Sequence, residues 1–190
     1  DVRAALVRGV RTLALTLLSY LLPVMTLIAF GFEVALLFTG LEPLWKTRSA
    51  GAILLSAAAA LIILVNTAYQ DGARATSPPR VLKWSGRAAA LLIAPLTAMA
   101  AYGLWLRVGQ HGLTPDRIRA AACVLVAAGY AGGYAAAAIA RGAWLKGLER
   151  TNVYVAHFVV VLLLLLFSPI ADPRRLSVDD QMRRLAGGRV

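Results

Sequence analysis

Five stretches of the chain are made almost wholly of apolar residues: 13–41, 50–69, 88–106, 120–140 and 153–170. Polar and basic residues gather between them. A helix needs about 20 apolar residues to cross the roughly 30 Å hydrocarbon core of a bilayer, so each stretch predicts one transmembrane helix. None has the polar face that a surface helix of a soluble protein carries. None has the period-2 alternation of a membrane β-strand. The pattern therefore predicts an all-α integral membrane bundle of about five transmembrane helices over residues 1–170. A polar juxtamembrane tail with a short helix follows over 171–190. The first stretch is longer than one crossing requires, about 43 Å at the usual helical rise. Pro23 and Gly31 are expected to kink or break it, with tilt absorbing the rest.

Local signals mark several helix ends. In the segment from Gly112 to Arg117, Thr114 suits an N-cap and Pro115 the first helical position. Asp116 there complements the positive end of the helix dipole. Thr151 or Asn152 suits the cap of the fifth helix. After Pro169 the chain leaves the membrane through Asp172-Pro173. Ser177 and Asp180 have capping-box spacing, which predicts a short helix from about Val178 to Ala186, ended by Gly187-Gly188. No internal repeat is visible, so an inverted-repeat transporter is not supported.

Composition agrees with a membrane protein. Soluble chains are roughly half apolar and about a quarter charged; this one is 59% hydrophobic and 15% charged. A soluble enzyme, a disordered tail and a disulfide scaffold are thereby disfavoured. In a soluble domain the net charge of +11 would point to nucleic acid. Here the basic residues sit at the ends of the apolar stretches, where they meet headgroups and set topology. The lipid bilayer is the expected partner and nucleic acid is not. Ten basic residues fall on each side of a five-helix topology. Discounting the distal Arg183, Arg184 and Arg189 tips the balance toward a cytoplasmic N-terminus. The first residue is Asp1 rather than Met, which is expected of a piece of a longer polypeptide.

Candidate chemistry is sparse. Glu33 is the one formal charge inside an apolar stretch. An ionisable group in hydrocarbon costs at least about 2.5 kcal/mol and is a functional candidate by default. A break at Gly31 would instead bring it to the headgroups. Asn66, in the last turn of the second helix, suits an interhelical hydrogen bond or simple packing. His111 and His157 fall on opposite sides of the bundle, and a packing role is expected of His157, bonded to Asn152, Tyr154 or a facing helix. Cys123 is the single cysteine. No ligand set reaches three, so no metal site is expected, and no cofactor or catalytic motif is present. Gly129 and Gly133 form a G-x-x-x-G packing face, for which Ala57 to Ala60 offer a partner. Trp45, Trp84, Trp105 and Trp144 suit an interfacial aromatic belt.

Several blocks together carry a family resemblance. They are Phe38 to Trp45, Leu64 to Gly72, Leu106 to Arg117, Thr151 to Val153 and Ser168 to Gln181. In order and spacing they resemble the bacterial multi-pass membrane family called domain of unknown function 4153, over nearly the whole chain. The resemblance implies an inner (plasma) membrane protein, longer than this chain, with no established activity. Two of the blocks emerge on one side of the membrane. They predict a polar cap of Arg107, Gln110, His111, Thr114, Asp116 and Arg117 with Asp172, Arg174, Arg175, Ser177 and Gln181, near Glu42 and with Glu33 beneath it. Surface-loop capping is the plainer reading of the same residues. The expected function is that of a non-enzymatic envelope or scaffold component with membrane-protein partners. The alternatives are a transporter or lipid-handling protein using Glu33 and the loop between helices three and four, or a membrane enzyme whose catalytic groups lie elsewhere.

Overall fold

The computed structural model describes residues 2–47, 49–69, 79–140 and 147–187. Among them the chain is helical, with no strand. The helices are α1 (Val2–Ser19), α2 (Leu21–Thr39), α3 (Glu42–Lys46), α4 (Ala50–Tyr69), α5 (Arg80–His111), α6 (Pro115–Ile139), α7 (Leu148–Leu166) and α8 (Pro173–Ala186). Five are long and apolar enough to cross a membrane: Leu13–Thr39 across the α1–α2 junction, α4, α5, α6 and α7. With five crossings, the start of α1, the end of α4, the end of α6 and the start of α7 share one side. The end of α2, α3, the α5–α6 turn and α8 share the other. Trp144 and the basic residues Arg48, Arg74, Arg141, Lys146 and Arg189 lie outside the described residues.

Between Leu13 and Thr39 the helix of the long first stretch is interrupted at one place. The junction is Tyr20, between α1 and α2. Pro23 lacks an N–H, and its ring crowds the carbonyl four residues back, that of Ser19, where α1 ends. The chain turns there through a Tyr20 N–H to Leu17 carbonyl bond of 3.2 Å. Gly31 does not break the helix, which continues to Thr39. Glu33 thus stays six residues, about 9 Å, inside the end of α2. Pro95 likewise leaves α5 continuous.

Helices α4 and α5 form the centre. Buried residues of α5 fall at Leu82, Gly86, Ala89, Ile93, Leu96, Ala100 and Gly103. Those of α4 fall at Leu54, Ala58, Leu61, Val65 and Ala68. Both rows alternate steps of three and four, the seam of left-handed helix packing. Small residues in both rows let the backbones approach, which is how helices gain dispersion energy in a solvent as apolar as they are. Gly103 is a socket for Trp45 of α3, whose ring carbons would lie 2.5 and 2.8 Å from an added Cβ. Trp45 is thus a packed residue, while Trp84 and Trp105 are exposed. Only 11% of the α7 span is buried against 39% for α4 and for α5, so α7 stands at the rim.

Helix ends differ from the sequence pattern where polar residues extend apolar spans. Helix α5 runs 32 residues, beginning at Arg80 rather than near 88. Helix α7 begins at Leu148, with Gly147 at the cap position, so Thr151 and Asn152 sit in its first turns and cap nothing. Helix α8 begins at Pro173, not Val178. Its cap is Asp172, whose carboxylate accepts the Arg174 N–H at 2.9 Å. Ser177 and Asp180 are therefore mid-helix and point elsewhere. At α6 the Thr114 cap and Pro115 stand where the sequence placed them, with Thr114 Oγ1 accepting from the Arg117 N–H.

Candidate functional site

Asn66, Tyr134 and Asn152 lie at similar depth on three different helices. Asn66 is three residues before the end of α4, Tyr134 five before the end of α6, and Asn152 four after the start of α7. Their side chains close a ring. Asn66 Nδ2 donates to the Tyr134 hydroxyl. That hydroxyl donates to Asn152 Oδ1 at 2.7 Å. Asn152 Nδ2 then donates back to Asn66 Oδ1 at 2.6 Å. A further bond runs from Asn66 Nδ2 to the Ile62 carbonyl at 2.9 Å. Each member gives and receives, so three neutral polar groups are answered without water. Tyr134 is fully buried and meets Tyr130 edge-on at 5.5 Å. One turn nearer the surface, the Tyr69 hydroxyl reaches Glu149 Oε1 at 3.4 Å, again joining α4 to α7.

Gly129 and Gly133 explain how α7 comes close enough. A Cβ at Gly133 would overlap the Thr151 side chain, and one at Gly129 would meet Val155 Cγ2 at 3.2 Å. The G-x-x-x-G face therefore receives Thr151 and Val155 of α7. Ala57 to Ala60 of α4 do not supply its partner. The close approach at Gly133 sets Asn152 within reach of Tyr134, the residue next to that glycine.

At the opposite end, α8 docks on the turn between α5 and α6. Gly112 ends α5 with φ +72°, and its N–H returns to the Val108 carbonyl. This left-handed conformation favours glycine, and a Cβ there would also strike Arg184, Asp180 and Gln181 at 2.6 to 2.9 Å. Asp180 Oδ2 accepts the Leu113 N–H at 2.7 Å and the Arg184 Nε–H at 3.1 Å. Ser177 Oγ donates to the Leu113 carbonyl at 3.0 Å. Gln181 Nε2 donates to the carbonyls of His111 and Leu113. Arg184 reaches the carbonyls of Val108 and Gly109 at 2.9 and 3.4 Å. The carbonyls of the last turn of α5, where intrahelical N–H partners run out, thus receive α8 side chains, Val108 sharing its carbonyl between Arg184 and the Gly112 N–H. The Leu113 N–H, first among the causes, and then Arg184 hold the Asp180 carboxyl below the ordinary carboxylate range.

This cap differs from the expected one. Ser177 and Gln181 do meet the turn, but through the backbone of His111 and Leu113, and the His111 imidazole is exposed. Arg117 bonds the Gly112 carbonyl of its own turn at 2.6 Å. Asp116 turns outward to Arg119 at 2.8 Å, and Asp172 caps α8. Glu42 pairs with Lys46 on the surface. Arg107 is half-buried near the end of α5 and has an interaction partner. The centre is instead Asp180 with Arg184. Glu33 Oε1 is buried with no hydrogen-bond partner among the described residues, as is Arg87 Nε. His157 Nδ1 lies 2.7 Å from the carbonyl of Val153 and bonds neither Asn152 nor Tyr154. No group of three His, Cys, Asp or Glu could hold a metal among the described residues. The apolar count absorbed Tyr134 into the fourth stretch. Its signal is depth: a polar side chain level with Asn66 on α4, which runs parallel to α6, and with Asn152 on the antiparallel α7.

Five apolar helices long enough to cross a bilayer, three of them (α4, α6 and α7) joined by an internal polar ring, define a multi-pass membrane protein. The family described as Domain of unknown function (DUF4153) matches residues 2–190, and the chain belongs to it. No curated protein and no solved structure matches the chain.

Proposed function

We propose that the chain is a non-enzymatic component of the bacterial inner membrane, a helical platform that holds other envelope proteins in the bilayer. The observation that carries this reading is where the polar groups inside the bundle point. Asn66, Tyr134 and Asn152 bond one another. The buried hydroxyls of Thr26, Thr67 and Thr97 return to the carbonyls of Leu22, Ile63 and Ile93 on their own helices. Groups bonded to one another in this way fix the positions of the helices that carry them. The exposed apolar side of α7, with Tyr154, Val160 and Leu164 all more than half exposed, supplies surface for lipid or for neighbouring helices.

The second reading is transport or lipid handling. The buried, unpartnered Glu33 Oε1 and Arg87 Nε favour it, since ionisable groups at membrane depth mark substrate paths. One experiment separates the two. A deletion strain is scored for envelope stress and lipid composition, then complemented with Glu33→Gln, His111→Ala, Asp116→Ala and His157→Ala variants of the full-length protein. A platform is complemented by all four at normal protein levels. Loss of complementation by Glu33→Gln alone, with the protein still made and folded, replaces the platform with a transport or lipid-handling role.

A further inference from the structure

Helix α8 has three faces. Ser177, Asp180, Gln181 and Arg184 dock on the α5–α6 turn. At helical spacing, Val178, Met182 and Leu185 share a second face, and they are 60%, 61% and 58% exposed. Asp179, Arg183 and Ala186 form the third. One turn before Val178, the exposed Arg174 and Arg175 lie on either side of the apolar row. A single exposed apolar residue is ordinary. Three in register, beside a face already fixed to the bundle, form a surface shaped for something apolar.

Connectivity places that surface at the membrane. Helix α7 ends at Leu166 and α8 begins at Pro173. The six residues between them span at most about 20 Å. The docked face also ties α8 to the last turn of α5, the end of a membrane-crossing helix. Charge then selects the occupant. Residues 173–186 carry four arginines (Arg174, Arg175, Arg183, Arg184) against two acids (Asp179, Asp180), a net of +2. One of the acids, Asp180, is already engaged by Leu113 and Arg184. We propose that α8 is an interfacial helix that lays Val178, Met182 and Leu185 into the upper acyl layer and holds anionic lipid phosphates on Arg174 and Arg175. Apolar burial and basic side chains at the headgroups act together in such helices, and each arginine near an anionic surface favours the seated state roughly fivefold.

The test uses the full chain with Met182→Cys, in a Cys123→Ala background, carrying an environment-sensitive fluorophore. It is reconstituted in nanodiscs of phosphatidylcholine alone or mixed with phosphatidylglycerol. The expected result is blue-shifted emission, quenched by lipids brominated high on the acyl chain and stronger in the anionic bilayer. The same label at Arg183→Cys should report water. Arg174→Gln with Arg175→Gln should remove the dependence on phosphatidylglycerol, lowering the seated-to-unseated ratio roughly fivefold per arginine. Water-like emission from Met182→Cys in both bilayers overturns the proposal. So does emission indifferent to the two arginines. Blue-shifted emission that brominated lipid fails to quench also overturns it, because a protein surface then covers the row.

Discussion

The two ends of the bundle solve the same problem in different ways. On one side, Asn66, Tyr134 and Asn152 bond side chain to side chain across α4, α6 and α7. On the other, Ser177, Asp180, Gln181 and Arg184 of α8 bond mainly to backbone atoms of the α5–α6 turn. In the ring every member depends on two others, with Tyr134 fully buried and both asparagines half-buried. Removing one leaves buried groups unanswered, at about 1–3 kcal/mol for each neutral group. At the cap the carbonyls stand at the end of a helix, where water can replace a lost side chain. The ring is therefore expected to govern the stability of the bundle, and the cap to govern only the attachment of α8.

The largest loss is expected at Tyr134. Tyr134→Ala removes the ring and opens a cavity, and should destabilise the protein by about 3–5 kcal/mol. Tyr134→Phe keeps the packing and should cost about 1–3 kcal/mol. Unfolding in mixed micelles measures both, and a Tyr134→Phe protein as stable as the parent would remove the ring from the account. Gly133→Ala should rank next, at about 1–3 kcal/mol, because its Cβ overlaps Thr151. Gly129→Ala, with its single contact at 3.2 Å, should cost less. A reversed order would show that α7 does not rest on Gly133.

At the cap, Gly112→Ala forces a backbone conformation open in practice only to glycine, at about 1–3 kcal/mol, and pushes a Cβ into Asp180 and Arg184. Proteolysis within α8 should accelerate while the melting of the bundle stays nearly unchanged. Asp180 adds a dependence on pH. Its folded carboxyl holds its proton less tightly than an ordinary one near 3.8, so docking is stabilised above that value and weakens as pH falls through the lower folded-state value. Protection of the Leu113 amide, its exchange rate relative to the intrinsic rate at the same pH, should fall only in that acid range, and Asp180→Asn should abolish the dependence. The smallest effect is expected from Glu33→Gln. With no hydrogen-bond partner for Oε1 among the described residues, its loss should leave stability unchanged or raise it.

The same comparison marks how far the sequence could be read. Apolar length alone places all five spans, and Ala50–Tyr69 lies where its run does, because hydrocarbon thickness permits few alternatives. Bounds fail where polar residues continue an apolar helix, as at Arg80 and Leu148, since a backbone needs no apolar side chain to stay helical at the headgroups. The ring is less legible. Asn66 stood out as polar in an apolar run, Tyr134 was hidden by its own apolar ring, and Asn152 resembled a cap. Their meeting depends on helix order and on the Gly133–Thr151 approach, which spacing along one helix does not encode. At the cap, Ser177 and Asp180 imitate a capping box, whereas Pro173 fixes the true start of α8 one turn earlier. Their side chains are thereby turned to Leu113.

A double-mutant cycle between Tyr134→Phe and Asn152→Ala, with unfolding measured in lipid, tests the central claim most directly. If the three side chains act as one unit, the two losses overlap, and the cycle returns a coupling of about 0.6–2 kcal/mol. Strictly additive losses would show that the hydroxyl and the amide stabilise their helices independently, and the ring would then not join α4, α6 and α7.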